Sequence, residues 1–234
     1  MSLLVIFDID GTLLFSNRID SKLFAATYES RYGKTFPSID WTYFPHVTDH
    51  TIFRHSYYEL FDAWPENREE EEFKKEFTER IQEARMQTPE EFQPVPGVGE
   101  FFSLLKGLPG HHVAVATGGW GQPARVKLNH VGLLEESLVI SAADTRETRE
   151  QIVQGAFEAC GDLGYTWERA VYVGDAVWDV QTCRNLNLPF IGIRRSGDHE
   201  TLLKSGADQV FSDYSAIEPF LEALKVARVP VKKE

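Results

Sequence analysis

The stretch LLVIFDIDGTLL, residues 3–14, decides the fold of this chain. Its first five residues form a continuous apolar run, which is typical of a strand buried on both faces of a parallel sheet. Asp8 follows at the strand end, and Gly11 with Thr12 predicts a tight turn. Strand alternation places the carboxylates of Asp8 and Asp10 on one side, where two like charges need a cation nearby. The alternative without a function is a strand cap followed by a turn.

Further apolar runs predict more strands, and helix-length patterns separate them. The strands are expected at residues 112–117, 138–141, 170–174, 190–193 and 209–211. The helices are expected at residues 98–106, 122–131, 149–160, 176–186, 200–204 and 216–226. Strands that alternate with helices predict an α/β fold with a Rossmann-like parallel sheet, and ligands of such sheets bind outside the carboxyl ends of the strands.

One segment interrupts this alternation. Residues 20–86 contain no apolar run typical of a buried strand, and their three helical patterns lie at residues 21–32, 49–63 and 68–86. Two prolines and a glycine in QPVPGV, residues 93–98, then return the chain to the sheet. We therefore predict a Rossmann-like core with an inserted α-helical cap domain. The core comprises residues 1–15 and 93–234, and the cap comprises residues 16–92.

Composition and charge narrow the class of protein. The chain has 234 residues, of which 42% are hydrophobic and 26% charged, as in ordinary globular proteins. A formal net charge of −12 argues against a nucleic-acid partner, which would need a basic surface. No apolar run approaches the roughly 20 residues of a membrane span. Cys160 and Cys183 do not make a disulfide scaffold, so we expect a cytoplasmic protein with no membrane partner.

A second acidic motif follows another predicted strand. VGDAVWDV, residues 173–180, places Asp175 at the strand tip and Asp179 one helical turn later, from where its carboxylate can reach the same site. Carboxylates that converge at one sheet edge form an oxygen-rich site suited to Mg²⁺. The structural alternative is that Asp175 only caps a helix.

A glycine pair follows a third predicted strand. VAVATGGWG, residues 113–121, ends its strand at Thr117 and continues with Gly118 and Gly119. A hydroxyl together with free backbone N–H groups before a helix can bind a phosphate. The alternative is that the two glycines form no more than a turn.

These three motifs, in this order, resemble those of the haloacid dehalogenase-like superfamily, and the inserted helices resemble the cap of its first cap class. In the cap, HVTDHTIFR, residues 46–54, resembles a loop of the phosphoglycolate phosphatase-like members. The resemblance implies a Mg²⁺-dependent phosphatase that hydrolyses a small phosphomonoester, phosphoglycolate or another phosphorylated metabolite, through an aspartyl-phosphate intermediate.

The resemblance also implies a role for each acidic residue. Asp8 would attack phosphorus, and Asp10 would protonate the leaving oxygen and then deprotonate the attacking water. Mg²⁺ would be held by the carboxylate of Asp8, the main-chain carbonyl of Asp10, Asp175 and Asp179, the last directly or through water. Residues of the turns and the cap loop complete the candidate site: catalytic Thr117 and the substrate contacts Gly11, Thr12, Asp49, His50 and Gly118.

The third motif of the superfamily supplies a lysine or arginine, and here the chain departs from the pattern. SAADTRETREQIV, residues 141–153, contains no lysine. Arg149, near the predicted helix start, is the first candidate to bridge the nucleophile and the phosphate, and Arg146 is the second. For each, a surface arginine is the alternative. Trp120 and Trp178 adjoin the motifs and either line the pocket or pack against the cap.

Other functions on the same fold remain alternatives. A phosphomutase shares every motif, and a non-catalytic phosphometabolite-binding protein would have retained the fold but not necessarily Asp8 and Asp10. Dehalogenases of the superfamily do not use the second aspartate, which favours phosphoryl transfer. A phosphonate hydrolase would need a Schiff-base lysine in an apolar setting, and neither Lys22 nor Lys34 has one.

Overall fold

The computed structural model describes residues 2–195 and 197–232, so Met1, Ser196, Lys233 and Glu234 of the predicted core lie outside the described residues. The strands are β1 (Leu3–Phe7), β2 (Leu14–Phe15), β3 (Gln93–Pro94), β4 (His111–Ala116), β5 (Val139–Ser141), β6 (Arg169–Gly174), β7 (Phe190–Ile193) and β8 (Val210–Phe211). The helices are α1 (Asn17–Tyr32), α2 (Asp49–Phe61), α3 (Asn67–Gln87), α4 (Val98–Gly107), α5 (Gly121–His130), α6 (Arg149–Asp162), α7 (Val177–Asn185), α8 (His199–Ser205) and α9 (Ile217–Val226).

A parallel sheet in the order β5-β4-β1-β6-β7-β8 forms the centre of the molecule. β1 lies between β4 and β6, with Leu3 opposite His111 and Arg169. Alternate residues of β1 belong to two hydrophobic clusters on opposite faces of the sheet, and all five are buried. Burial on both faces explains why the strand is a continuous apolar run. The predicted α/β fold is confirmed.

The segment between β2 and β3 forms a helical insert of α1, α2, α3 and two short 3-10 turns, at Trp41–Tyr43 and Pro89–Phe92. Helix α1 begins four residues earlier than predicted. The aromatic side chains of the insert surround Trp120, which comes from the core loop between β4 and α5. The ring of Trp120 is stacked on Phe24 with 5.7 Å between centroids, and it is fully buried. Of the two positions predicted for Trp120, lining the pocket or packing against the cap, the structure therefore shows the packing.

The two connections between core and insert run side by side. β2 pairs antiparallel with β3, so that Leu14 lies opposite Pro94 and Phe15 opposite Gln93. The sequence did not predict this ribbon, because strands of two residues carry no periodic signal. We propose the division into core and insert at residues 15/16 and 92/93 on the ground of this pairing. None of the helices in the described ranges is both long and apolar enough to cross a membrane.

The N-terminal end of α2 rests on two core loops. The backbone N–H of Asp49 donates to the carbonyl of Gly118 at 2.8 Å. The hydroxyls of Thr48 and Thr51 both donate to the carbonyl of Glu147 at 2.9 Å. These bonds hold the insert over the carboxyl ends of β4 and β5, next to the segments that carry the glycine pair and Arg149.

Candidate active site

A cavity of about 410 Å³ lies between the insert and the carboxyl ends of the central strands. Parallel strands bring their carboxyl ends to one edge, which gathers residues that are far apart in sequence. The core side of the cavity includes Asp8, Asp10, Thr117, Gly118, Arg149, Asp175 and Trp178. The insert contributes Asn17, Asp20, Trp41, Asp49 and Ile52, among others.

Arg149 binds two buried carboxylates at the floor of this cavity. Its Nη2 donates to Asp8 Oδ1 and to Asp179 Oδ1, each at 2.8 Å. Thr148 caps α6 and forms a capping box with Gln151, which fixes the helix start that presents Arg149. A Cβ on Gly118 would lie 2.2 Å from Arg149 Nη1, so a glycine at this position lets the guanidinium reach Asp8.

Three carboxylates surround this arginine, and we call Asp8, Asp175, Asp179 and Arg149 the core cluster. One oxygen from each of the three acids lies within 4.8 Å of the others. Burial raises the pKa of Asp8 to about 8, and the charges of Asp179 and Asp10 add to this effect while Arg149 opposes it. Burial, followed by the charges of Asp179 and Asp8, also holds the pKa of Asp175 well above its usual range. Crowded carboxylates of this kind fit a hard divalent cation with oxygen ligands, such as Mg²⁺.

The carboxylate of Asp179 binds Arg149 and does not line the cavity. Its Oδ1 accepts from Arg149 and from the Tyr172 hydroxyl at 3.3 Å, and its Oδ2 accepts from the backbone N–H of Ala176 at 3.0 Å. Oδ1 thus accepts two hydrogen bonds and Oδ2 accepts one, so a metal bound directly by Asp179 would have to use the remaining lone pair of Oδ2. Asp8 and Asp175 are the members of the core cluster whose carboxylates line the cavity.

The turn after β1 supports Asp175. Gly11 has a φ of +85°, and a Cβ on it would lie 2.0 Å from Asp175 Oδ2. The amide nitrogen of Asn17 donates to the main-chain carbonyl of Asp10 at 3.1 Å and to Asp175 Oδ2 at 3.3 Å. Neither Gly11 nor Thr12 lines the cavity. Thr12 is fully buried, and its carbonyl accepts from the hydroxyl of Tyr214, so its predicted substrate contact has no geometric support.

Asp10 is held by a lysine that the sequence analysis missed. Nζ of Lys127 donates to Asp10 Oδ1 and Oδ2 at 2.7 and 2.6 Å, and to Asp20 Oδ1 at 2.8 Å. The Ser16 hydroxyl donates to Asp10 Oδ1 as well. We call Asp10, Asp20 and Lys127 the seam cluster, because Asp20 belongs to α1 of the insert and the other two belong to the core.

Burial governs the charges of the seam cluster. It raises the pKa of Asp20 to about 6, against the opposing charge of Lys127. Burial also disfavours the charged form of Lys127, yet the carboxylates of Asp10 and Asp20 reverse this and raise the pKa of the ammonium. One signal for Lys127 was available in the sequence, since it shares the buried face of α5 with Ala124 and Leu128. An ammonium on such a face needs partners.

The neighbours Asp49 and His50 on α2 point into different cavities, because adjacent helical residues do not face the same way. Asp49 lines the cavity, and its Oδ2 accepts from the backbone N–H of Trp120 at 2.9 Å. Burial and the charge of Asp20 hold the pKa of Asp49 well above its usual range. His50 lines a separate cavity of about 310 Å³, and its Nδ1 lies 2.6 Å from Glu70 Oε1.

The two predicted arginines are also separated. Nη1 of Arg146 donates to the carbonyl of Ala142 at 3.2 Å, and the side chain packs against Gly155. Arg146 does not line the cavity, so of the two candidates the structure places only Arg149 on Asp8. Thr117 does line it, and its hydroxyl accepts from the backbone N–H of Gly119 at 3.1 Å.

Comparison with known proteins found a matching family and two related phosphatases. The model of a family described as haloacid dehalogenase-like hydrolase matches residues 5–193, which include both clusters. A phosphoglycolate phosphatase of Agrobacterium fabrum (strain C58 / ATCC 33970) is 27% identical over 137 residues, 58% of this chain and 58% of that protein. A phosphoglycolate phosphatase of Rhodobacter capsulatus is 30% identical over 128 residues, 54% of this chain and 57% of that protein. The matches therefore span little more than half the length of these relatives.

A solved structure shares the architecture. The crystal structure of a hydrolase from Pseudomonas syringae aligns with a TM-score of 0.71 over 97% of this chain and 100% of that chain, at 18% sequence identity. At this identity the likeness shows the fold alone.

Proposed function

Because the chain belongs to the haloacid dehalogenase-like hydrolase family, we propose that it hydrolyses a small phosphomonoester in two steps on Asp8. The observation that carries this proposal is the 2.8 Å contact of Arg149 with Asp8 on the floor of the cavity, where Asp10 also faces the open space. A buried carboxylate beside a fixed cation suits attack on an anionic phosphate, since the cation offsets the repulsion between them.

In the first step, a carboxylate oxygen of Asp8 attacks phosphorus, and the bond from phosphorus to the ester oxygen breaks. Asp10 gives a proton to that leaving oxygen, so the alcohol departs neutral. Thr117 and the backbone N–H of Gly118 bind the phosphoryl oxygens, and Arg149 balances their charge. The product of this step is a phosphate bound covalently to Asp8.

In the second step, Asp10 takes a proton from a water molecule, which attacks phosphorus and breaks its bond to Asp8. Inorganic phosphate leaves, and both carboxylates return to their starting states. The insert contributes by covering the cavity, because its helices exclude bulk water and its side chains contact the leaving alcohol. In this sense the insert acts as a cap.

Magnesium fits the core cluster. We propose that Asp8, the main-chain carbonyl of Asp10 and Asp175 hold the ion, and that Asp179 contributes through water or by fixing Arg149. When bound, the ion would screen the nucleophile from the negative charge of the phosphate. The fit rests on the close approach of the three acids and on the raised pKa values of Asp8 and Asp175.

Phosphoglycolate is the leading substrate in this proposal, supported by the names of the two relatives and by the sequence of residues 46–54. Another small phosphorylated metabolite would fit the same chemistry. A phosphomutase and a phosphometabolite-binding protein remain the alternatives, since both can use this cavity. We also propose a cytoplasmic location, in keeping with two cysteines that are buried and free.

The test is release of inorganic phosphate from 4-nitrophenyl phosphate and from a panel of small phosphomonoesters that includes phosphoglycolate, with Mg²⁺ and with EDTA. We expect release that requires the ion and that falls about 10³-fold or more in Asp8→Asn. The matched control is Asp162→Asn, an exposed acid at the end of α6, which should keep wild-type activity. If the wild type released phosphate from none of the esters, the phosphomutase and the binding protein would become the better explanations.

A further inference from the structure

Lys127, whose partners Asp10 and Asp20 line the cavity, is the buried charge to which the proposed chemistry gives no role. Its side chain is 2% exposed, and its ammonium forms ion pairs with Asp10 and Asp20. A buried charge of this kind is retained only where its partners repay the loss of water. Lys127 makes three hydrogen bonds between 2.6 and 2.8 Å, two to Asp10, the acid–base residue of the proposed mechanism, and one to Asp20 of the insert. These bonds compensate for the lost contact with water.

The hydrogen bonds to Asp10 leave one direction free. A carboxylate offers about four lone-pair sites. Among the described residues, Ser16 and Lys127 donate to Oδ1 of Asp10, whereas only Lys127 donates to its Oδ2. The remaining site on Oδ2 is therefore the one that can exchange a proton, and its direction is set by the lysine that fixes the plane of the carboxylate.

We propose that Lys127 is a positioning residue that aims Oδ2 of Asp10 at the leaving oxygen, and that Asp20 holds Lys127 in place. The inference rests on the proposed function, since it assigns Lys127 a part in the proton transfer by Asp10. Asp20 is one turn into α1, directly after the ribbon that joins the insert to the core. The aim of Asp10 therefore depends on the insert through the contact between Asp20 and Lys127.

The competing explanation is that Lys127 only neutralises two buried acids. The two explanations separate when charge and geometry are changed independently. Lys127→Met alone leaves two unpaired carboxylates in the seam cluster, which costs stability under either explanation. Lys127→Met combined with Asp20→Asn keeps the net charge of the wild-type cluster while removing the ammonium from Asp10.

The readout is the dependence on the leaving group. A nitrophenolate departs without a proton, whereas an alkoxide needs one, so acid catalysis by Asp10 matters only for the alkyl ester. The value of kcat/KM covers the steps through transfer of phosphorus to Asp8 and excludes the later hydrolysis. The measured quantity is therefore the ratio of kcat/KM for 2,4-dinitrophenyl phosphate to that for an alkyl phosphate accepted by the wild type.

We expect the double variant to fold with a Tm near that of the wild type, and the ratio to rise about tenfold or more, because general acid catalysis contributes about 10²–10⁴-fold. Lys75→Met, which removes a 78% exposed lysine on α3, is the control and should leave the ratio unchanged. A double variant with restored Tm and an unchanged ratio would show that Lys127 only neutralises charge, and would overturn the inference.

A second variant covers the case in which the double variant does not fold. Lys127→Arg keeps the charge but changes the geometry at Asp10, so we expect a raised ratio, and an unchanged ratio in this folded variant overturns the inference. Failure of the proposed function looks different. In that case the wild type itself releases no phosphate from either ester, and the inference falls with it before any variant is compared.

Discussion

The two charged clusters beside the cavity differ in how far the protein's own cations balance their acids. The core cluster has three carboxylates and one guanidinium, which binds Asp8 and Asp179, so two negative charges remain when all are ionised. In the seam cluster, two carboxylates share the ammonium of Lys127, which leaves one. The pKa values follow this difference, since that of Asp8 rises to about 8 and that of Asp20 to about 6. In our proposal a divalent cation balances the core cluster, whereas one proton would balance the seam cluster.

The largest expected effect comes from removing the cation of the core cluster. Arg149→Met leaves Asp8 and Asp179 buried without their partner, and breaking such a pair costs about 3–5 kcal/mol of unfolding free energy. We expect kcat/KM to fall by about 10²-fold or more, because the phosphate loses its counter-charge. Urea denaturation and phosphate release measure the two quantities.

Arg146→Met is the matched control for that variant, since it removes a neighbouring arginine that contacts Ala142 and not Asp8. Its activity should stay within about twofold of the wild type, as surface and peripheral changes have small effects. If Arg146→Met lost as much activity as Arg149→Met, the assignment of one arginine to the core cluster would be wrong.

A smaller but specific effect is expected from Gly11→Ala. The new Cβ would lie 2.0 Å from Asp175 Oδ2, so Asp175 must move and the core cluster loses its geometry. We expect the Mg²⁺ concentration for half-maximal activity to rise about tenfold or more, the size found when supports of metal ligands are removed.

Gly33→Ala is the control that separates backbone strain at a positive φ from displacement of the Asp175 side chain. Gly33 also has a positive φ, +64°, but nothing lies within 4 Å of its Cβ position. This variant should lose about 1–2 kcal/mol of stability from the left-handed backbone and keep the Mg²⁺ dependence of the wild type. Equal Mg²⁺ dependence in both variants would mean that Gly11 does not hold Asp175.

Stability in EDTA should fall as pH rises. The native pKa values of about 8 for Asp8 and about 6 for Asp20 lie above the 3.8 of an unperturbed aspartate, so the native state retains protons that the unfolded chain releases. Their stabilisation is complete below pH 4 and is lost as pH rises through 6 and then 8. We expect Tm at pH 9 to be lower than at pH 6 by about 3 °C or more.

Mg²⁺ should reverse much of this loss, because it binds the ionised carboxylates, and its effect on Tm should be larger at pH 9 than at pH 6. Asp8→Asn serves as the comparison, since it removes the group that titrates near pH 8 and should flatten that part of the curve. A Tm that did not respond to Mg²⁺ at either pH would argue against a metal site in the core cluster.

The smallest effect concerns Asp49, which lies near the seam cluster. Asp49→Ala removes the acceptor for the backbone N–H of Trp120 and one wall of the cavity, so we expect KM to rise about fivefold, the equivalent of ~1 kcal/mol. His50→Gln should leave KM within about twofold, because His50 faces the other cavity. Steady-state kinetics on the best ester of the panel measures KM for both variants. An equal change in KM for Asp49→Ala and His50→Gln would contradict the placement of the two residues in different cavities.

Much of the fold follows from the apolar runs. β1 and β7 match their predicted bounds, and β4 and β6 differ by one residue, because strands buried on both faces leave continuous signals. The ribbon of β2 and β3 left none. Strand ends also predicted the core cluster, since each of its acids follows a parallel strand or opens the next helix. The resemblance to the superfamily is confirmed by the family match.

The spacing of Lys127 on α5 hinted at a buried ammonium, but its partners in the seam cluster could not be predicted, because they depend on which side chains the tertiary packing brings next to Asp10. Lys127 and Asp20 belong to two helices, one from the core and one from the insert, and no motif marks either. The same reason explains His50, whose neighbour Asp49 lines the cavity while His50 lines another one, and Thr12, which is buried away from the cavity. Tertiary packing sets the direction in which a side chain points from a turn or a helix start, and a single sequence does not show that packing.

The central claim is that phosphate passes through a covalent bond to Asp8. The most direct measurement is a rapid acid quench during turnover with Mg²⁺, followed by borohydride reduction and mass spectrometry of the peptide that contains residues 3–14. The account predicts homoserine at position 8 in the wild type and none in Asp8→Asn. An unmodified Asp8 in a quenched sample that is releasing phosphate would contradict it, because water would then attack the ester directly.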